Sequence, residues 1–370
     1  MKINSIAGAE RHLLTLMGAQ VERELDVHLL MMVDPKQPML DMQRQSEEVG
    51  ATVHRLVIRN HLDVLIIWRL RGVLRRIKPD VVHTHLIHGD TYGVPAAKLA
   101  RKPVVSSRHD DSDFRRNFLI RLLNRLIWRR IDRGIAISEA LSRFSIAVEG
   151  APEKRIRVVH YGIPHYRMQS SAIQDAQNAL RDELNLSKSA VLLGTVSRLI
   201  ALKGVHYALE AFAQIASSYP DAHFVIVGDG PERNKLERQV VKDKLTQRVH
   251  FMGWQSDVER IFGGLDILLV PSTREGFGLV LLEAMSKRVA VIASNVSAIP
   301  EVVEHGETGL LVPPRNPDSL AQAMRMLVDD RALRAYMGLM AEDRLEQHFT
   351  VARMADETIA VYNEVVSKRK

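Results

Sequence analysis

The chain has 370 residues, 46% of them apolar and 26% charged, which is the composition of a globular protein and a length for two domains rather than one core. It contains no cysteine, which excludes a disulfide framework and a thiolate metal site and agrees with a reducing cytoplasm. The formal net charge is +7, no apolar run approaches the roughly 20 residues that cross a bilayer, and the first residues lack the apolar core of a signal peptide.

Gly8-Ala9-Glu10-Arg11 reads as a glycine turn that closes a first strand and opens a helix over 10–20. Only Met1-Lys2-Ile3-Asn4-Ser5 and two further residues precede it, a poor buried strand. The first, central strand is therefore expected to be short, or the true start to lie upstream. Losing a central strand exposes ladder groups in the core, a cost of several kcal/mol. Strands are expected over 27–33, 53–58, 81–85, 104–107 and 134–138. Helical patterns over 62–77, 92–99 and 114–131 separate them. This alternation implies a parallel sheet with helices on both faces.

Two stretches of this half are basic. Residues 69–78 hold five basic side chains, and Arg115 to Arg133 includes seven arginines against the single acid Asp132. In the second, Phe118, Leu119, Leu122, Leu123, Leu126 and Ile127 fall at helical spacing. Such a helix packs its apolar stripe on a sheet with the arginines solvated, or it lies on an anionic membrane surface. Both hold at once if the arginine face meets lipid head groups. Nucleic-acid binding is not expected, because Phe118 and Trp128 belong to the apolar stripe rather than to base-stacking platforms.

The polar stretch 169–188 reads as a linker with one helical turn or two. It divides an N-terminal domain, 1–168, from a second domain, 189–348. There, strands are expected over 191–196, 222–227, 249–252, 267–270, 289–293 and 309–312. Helices are expected over 205–217, 231–244, 277–285, 319–328 and 331–347. The segment 349–370 carries a last helix, over 351–365, expected to cross back to the first domain. The fold class is α/β, two doubly wound Rossmann-like domains facing a cleft.

The turns of the second domain carry the chemistry. Glu275-Gly276-Phe277-Gly278-Leu279 follows a buried strand and opens a helix that bears Glu283. Open α/β sheets place ligands at such turns. A helix start offers unpaired N–H groups to an anion, and Gly276 and Gly278 allow close approach of the main chain. Two acids would repel an anion, so they are read as accepting from hydroxyl groups, and the implied ligand carries both phosphate and sugar. Arg198 and Lys203, after the first strand of this domain, can bind phosphate oxygens. Gly228-Asp229-Gly230-Pro231 forms the next βα turn. After the third strand, Trp254 could border a flat base.

These motifs resemble those of the GT-B-fold retaining glycosyltransferases of family 4 (group 1). The matches are Ser197-Arg198-Leu199 with Lys203-Gly204, Gly228 to Pro231, Glu275 to Gly278 with Glu283, and Pro300-Glu301-Val302-Val303 with Gly306 and Thr308 to Leu311. They run from Val191 to about Pro314. The N-terminal half matches only at Gly8-Ala9-Glu10, His83-Thr84-His85 and His109-Asp110. Before Pro300, where the family often has a Gly-Gly pair, this chain has Val296-Ser297-Ala298-Ile299.

The resemblance implies a transferase that moves a hexose-type sugar from a nucleotide diphosphate, UDP more commonly than GDP, to a glycan or lipid-linked acceptor. It implies that Arg198 and Lys203 hold the diphosphate and stabilise its growing charge. Glu275 would bind sugar hydroxyls, Glu283 the ribose, and Phe277, Gly278 and Leu279 the phosphate or sugar from the helix start. Gly228, Gly230 and Trp254 would complete the donor site. His109 would reach toward the transferred sugar, and Gly8 and Ala9 would lie near the donor phosphates or the acceptor. No cofactor or metal is expected, since the basic pair does what a divalent cation does elsewhere. His83 and His85 share a strand face, so with His88 and His109 they could ligate a metal, but cleft lining or sugar hydrogen bonding is the expectation. A nucleotide-sugar epimerase, a glycoside hydrolase and a non-catalytic nucleotide-sugar-binding protein are the alternatives. The expected location is the cytoplasm, at the inner face of the membrane if the arginine stretch binds lipid.

Overall fold

A computed structural model of the chain describes residues 8–36, 39–58 and 63–367. The short first strand expected over 1–5 lies outside the described residues. The chain forms two compact units, Met1–Pro164 with Phe349–Lys370, and His165–His348.

The first unit alternates as expected: α1 (Gly8–Val21), β1 (His28–Val33), α2 (Leu40–Glu48), β2 (Thr52–Val57), α3 (Leu65–Ile77), β3 (Val82–His85), the single turn α4 (Leu86–His88), α5 (Val94–Leu99), β4 (Val104–Arg108), α6 (Phe118–Trp128), β5 (Arg133–Ala136), α7 (Glu139–Phe144) and β6 (Ile156–Val158). Strand β1 pairs in parallel with β2, and β3-β4-β5-β6 form a second parallel set in that order. An apolar cavity lined by Leu13, Leu16, Met17, Leu29, Leu74 and Val82 lies beside β1 and β3. From β3 to β6 the chain steps across the sheet in one direction. Right-handed crossovers therefore put α5, α6 and α7 on one face, and α3 packs against α5. The C-terminal helix covers the other face, packed on α1, β4 and β5 through Met354, Ala355, Val361 and Val365.

Helix α6 does not pack its apolar stripe on the sheet. Its inward residues are Asn124, Ile127 and Trp128, while Phe118, Leu119, Leu122, Leu123 and Leu126 face outward. Nor are all seven arginines of 115–133 on the surface. Arg115 is buried against Glu149 (2.6 Å) and Asp110 (2.9 Å), and Arg133 binds Glu364 at 2.7 Å. The buried Glu149 draws Arg115 inward, because an unpaired buried charge is far costlier than a paired one, whereas Arg133 pairs with a carboxylate that is still partly exposed.

The second unit begins with α8 (Ser170–Glu183), a 14-residue helix across the stretch read as a linker. Its polar composition hides its anchor, for Leu180 and Arg181 are buried and Arg181 donates to the Ala190 carbonyl at 2.9 Å. The unit continues with β7 (Val191–Val196), α9 (Val205–Ala216), β8 (Ala222–Val227), α10 (Arg233–Lys242), β9 (Val249–Gly253), α11 (Val258–Gly264), β10 (Ile267–Val270), α12 (Leu279–Met285), β11 (Ala290–Ser294), α13 (Ile299–Val302), β12 (Leu310–Val312), α14 (Pro317–Asp329) and α15 (Arg331–His348); α16 (Val351–Ser367) is the C-terminal helix of the first unit. The six strands are parallel in the order β12-β11-β10-β7-β8-β9. Strands β7 and β10 are buried nearly throughout, as a sheet covered on both faces requires.

Candidate functional site

The strand order of the second unit reverses between β7 and β10: the chain runs outward from β7 to β9 on one side and from β10 to β12 on the other. At such a switch point the loops after the two neighbouring strands leave in opposite directions and open a crevice at the carboxyl ends. Those loops are 197–204 and 271–278. They are tied by the Thr273 amide and hydroxyl, which donate to the Leu202 carbonyl at 2.8 and 3.2 Å. Beside this tie, Lys203 Nζ donates to Glu275 Oε2 at 2.6 Å, and Ser272 Oγ donates to the same oxygen at 3.3 Å. The pair is partly exposed, 23% for Lys203 and 14% for Glu275. Arg198 in the same loop is exposed and makes no ion pair among the described residues.

The neighbouring turns close around this pair. Gly228, at φ 121°, donates its amide to the Gly253 carbonyl at 2.7 Å, and a Cβ there would lie 1.9 Å from the Ser197 carbonyl oxygen. Only glycine fits so close an approach. The Leu199 amide donates to the Asp229 carbonyl at 2.9 Å, which binds the Arg198 loop to the turn that holds Gly230. Gly278, at φ 93°, is the N-cap of α12; Phe277 is buried beneath it, Leu279 begins the helix and Glu283 follows, half-buried. Trp254, just beyond β9, is 74% exposed.

The first unit holds a second constellation. His109, after β4, places Nε2 at 2.9 Å from His85 Nδ1 and Nδ1 at 2.5 Å from the Tyr161 hydroxyl. His12 of α1 stacks on Tyr161 at 4.0 Å, and its buried Nδ1 has no hydrogen-bond partner. His83 bridges Tyr362 of α16 and Ser107 of β4, each at 2.7 Å. Burial, and then the neighbouring rings, hold His12, His83 and His85 below the usual imidazole range, His83 at about 3. His109 lies at about 4: burial lowers it, Asp110 raises it, and Arg108 and Arg115 lower it. Burial pushes the Tyr161 hydroxyl well up, so it stays a phenol.

Both ring nitrogens of His109 are thus engaged within the protein rather than presented to a ligand. Among the described residues, no three His, Asp or Glu side chains are arranged to hold a metal ion. Gly8 and Ala9 open α1 in this unit. The alternation His83-Thr84-His85 marks this cluster in the sequence, but nothing local marks His12, Tyr161 or Tyr362 as its partners.

Comparison with known proteins agrees with this geometry. Residues 176–344 match the family model "Glycosyl transferases group 1", and residues 6–167 match "Glycosyltransferase Family 4". The chain is 26% identical over 366 residues to the capsular polysaccharide biosynthesis glycosyltransferase CapM of Staphylococcus aureus, covering 94% of this chain and 93% of that one. It is 33% identical over 191 residues to the N-acetyl-alpha-D-glucosaminyl L-malate synthase of Bacillus anthracis, covering 52% of this chain and 50% of that protein. The crystal structure of Anabaena Alr3699/HepE in complex with UDP and glucose superposes with a TM-score of 0.85 at 22% identity, over 98% of both chains. The shared fold is the GT-B architecture of two Rossmann-like domains.

Proposed function

We propose that this chain, which belongs to the group 1 glycosyltransferases of family 4, is a retaining hexosyltransferase that uses a nucleotide-diphosphate sugar, UDP before GDP. The acceptor is a glycan or a lipid-linked glycan of polysaccharide, lipopolysaccharide or glycolipid synthesis. The Lys203–Glu275 pair at the switch point carries this reading, since it sets an ammonium for phosphate beside a carboxylate for hydroxyls. UDP and glucose in the Anabaena complex support the choice of donor.

In this reading Lys203 and the exposed Arg198 bind the diphosphate, and the amides of Gly278 and Leu279 meet phosphate or sugar at the start of α12. Glu275 accepts from sugar hydroxyls, Glu283 from the ribose, and Trp254 borders the base. The acceptor oxygen bonds to the anomeric carbon on the face from which the diphosphate departs. The electrons of the breaking carbon–oxygen bond pass to the phosphate, which takes the acceptor's proton. The configuration is kept, and the two cations stabilise the charge that grows on the leaving group. Front-face attack needs no protein nucleophile, so Glu275 is not cast as one. In the first unit, Gly8 and Ala9 are assigned to the donor phosphates or the acceptor, and His109 meets the transferred sugar by exchanging its bond to His85 or Tyr161 for one to a sugar hydroxyl. The enzyme works in the cytoplasm, at the membrane that carries a lipid-linked acceptor.

A thermal-shift panel of nucleotide sugars tests this reading, because a ligand that binds the folded state raises its melting point by mass action. A shift with one UDP-sugar, lost in Lys203→Ala, is expected. No shift with any nucleotide sugar, or an inverted linkage in the NMR spectrum of the product, would overturn it.

A further inference from the structure

Helix α6 turns its most apolar face away from the protein. Phe118 is 75% exposed, Leu119 70%, Leu122 49% and Leu126 50%, with Leu123 and, just upstream, Phe114 exposed beside them. At about 100° per residue, positions 118, 119, 122, 123 and 126 share one face roughly 140° wide. None of them holds the helix in place. That is done from the other side, where Trp128 is buried and donates Nε1 to Glu149 at 3.1 Å, with the Arg108 guanidinium 4.7 Å over its ring. Arg121 donates to the Val148 carbonyl at 3.2 Å, and the Asn117 side chain caps the N-terminus. A contiguous apolar face of this kind on a soluble surface marks a contact with something else.

The surroundings identify its partner. Arg116, Arg125, Arg129 and Arg130 are exposed at the rim of the face, with Asp113 as the nearby exposed acid. In the same layer, α3 exposes Leu65 and Trp68, and Arg71 lies 5.3 Å over the Trp68 ring. Arg75 and Arg76 are exposed on the next turn. Apolar side chains interleaved with arginines match the depth profile of an anionic bilayer surface. Leucines reach the acyl boundary while guanidinium groups stay at phosphate depth.

We propose that α6 is an interfacial anchor that inserts its apolar face into the head-group boundary of an anionic membrane, rather than adsorbing by charge alone. This deepens the membrane-proximal acceptor reading and rests on it for its purpose. Binding is measured without donor or acceptor, so either reading can fail alone.

The test is sedimentation of the full chain with phosphatidylcholine vesicles, with and without about 30 mol% phosphatidylglycerol. The wild type should bind the anionic vesicles, with a blue shift of tryptophan emission, and retain part of this binding at about 0.5 M salt, where exposed charges are screened. Phe118→Ser with Leu122→Ser, which leaves the charge unchanged, should weaken binding about tenfold or more. The circular dichroism and melting temperature of this variant should match wild type, since both positions are exposed. Absence of wild-type binding to anionic vesicles overturns the proposal, as does equal binding by the double variant, which would mean adsorption by charge alone. A wild-type dimer in sedimentation velocity that the double variant converts to monomer would also overturn it, by making the face a contact between copies.

Discussion

Lowering the pH from 7 to about 5 should remove stability from the first unit well before any carboxylate titrates. His12, His83, His85 and His109 pack ring on ring, with centroids 4.1 Å apart for His83 and His85, 5.2 Å for His85 and His109, and 5.6 Å for His12 and His109. In the fold His83 titrates at about 3 and His109 at about 4, against 6.5 for the free side chain. At pH 7 the folded stack holds none of these protons and the unfolded chain only about a quarter of them, so each group costs only about 0.2 kcal/mol. As the pH falls from 6.5 to about 4, the unfolded chain binds protons that the folded stack refuses, and stability falls; below that, His109 protonates in both states and its loss levels off. At about pH 5 each group costs about 2 kcal/mol, together about 4, before His12 and His85 add theirs. A domain has about 5–15 kcal/mol in all.

Glu149 and Asp110 behave oppositely. Burial would raise both, but Arg108 and Arg115 outweigh it for Glu149, as Arg115 does for Asp110, and hold them low. Their contribution is therefore lost only as the pH drops below the ordinary carboxylate range, which leaves pH 5 to the histidines. The assay is urea unfolding by tryptophan emission in Trp254→Phe, whose remaining tryptophans, Trp68 and Trp128, both lie in the first unit. A midpoint and slope unchanged between pH 7 and 5 would refute the reasoning.

Other outcomes follow from the same geometry. Glu149→Gln leaves Arg108 and Arg115 buried with one counter-charge fewer and should cost about 3–5 kcal/mol of unfolding free energy by urea titration; a loss near zero would mean water reaches the pair. Lys203→Ala should lower kcat/KM about 100-fold, roughly 3 kcal/mol of transition-state stabilisation, with a small change in melting temperature because the pair is partly exposed. Gly228→Ala forces a Cβ onto the Ser197 carbonyl oxygen and should cost about 2–3 kcal/mol in denaturant unfolding.

The two halves of the molecule differ in how much of them a sequence exposes. The crevice of the second unit is built from βα turns, each a short contiguous string, so Lys203, Gly228 and Glu275 stand out as candidates before their contacts are known. What the strings do not contain is that Lys203 and Glu275 bind each other; that follows from the reversal of strand order, which sets loops about 70 residues apart side by side. The histidine cluster has no such string. Its members come from α1, β3, the turn after β4 and the strand end at Tyr161, and only His83-Thr84-His85 leaves a local trace.

Helix α6 shows the limit of periodicity most clearly. Spacing gives the width of an apolar face, and the usual inference that the face lies inward assumes that nothing else competes for the interior. Here something does. Trp128, Arg108 and Arg115 converge on Glu149, and a carboxylate buried that deeply must keep its donors, so the Trp128 side of the helix is held inward. The helix is therefore anchored in part by a residue 21 positions downstream of Trp128, outside any window that reads periodicity. If this account holds, Glu149→Gln should loosen α6 first, and hydrogen exchange over 118–128 should accelerate more than over β5, on which Trp128 packs at Gly134; uniform acceleration would mean that the carboxylate stabilises the unit as a whole and does not anchor the helix.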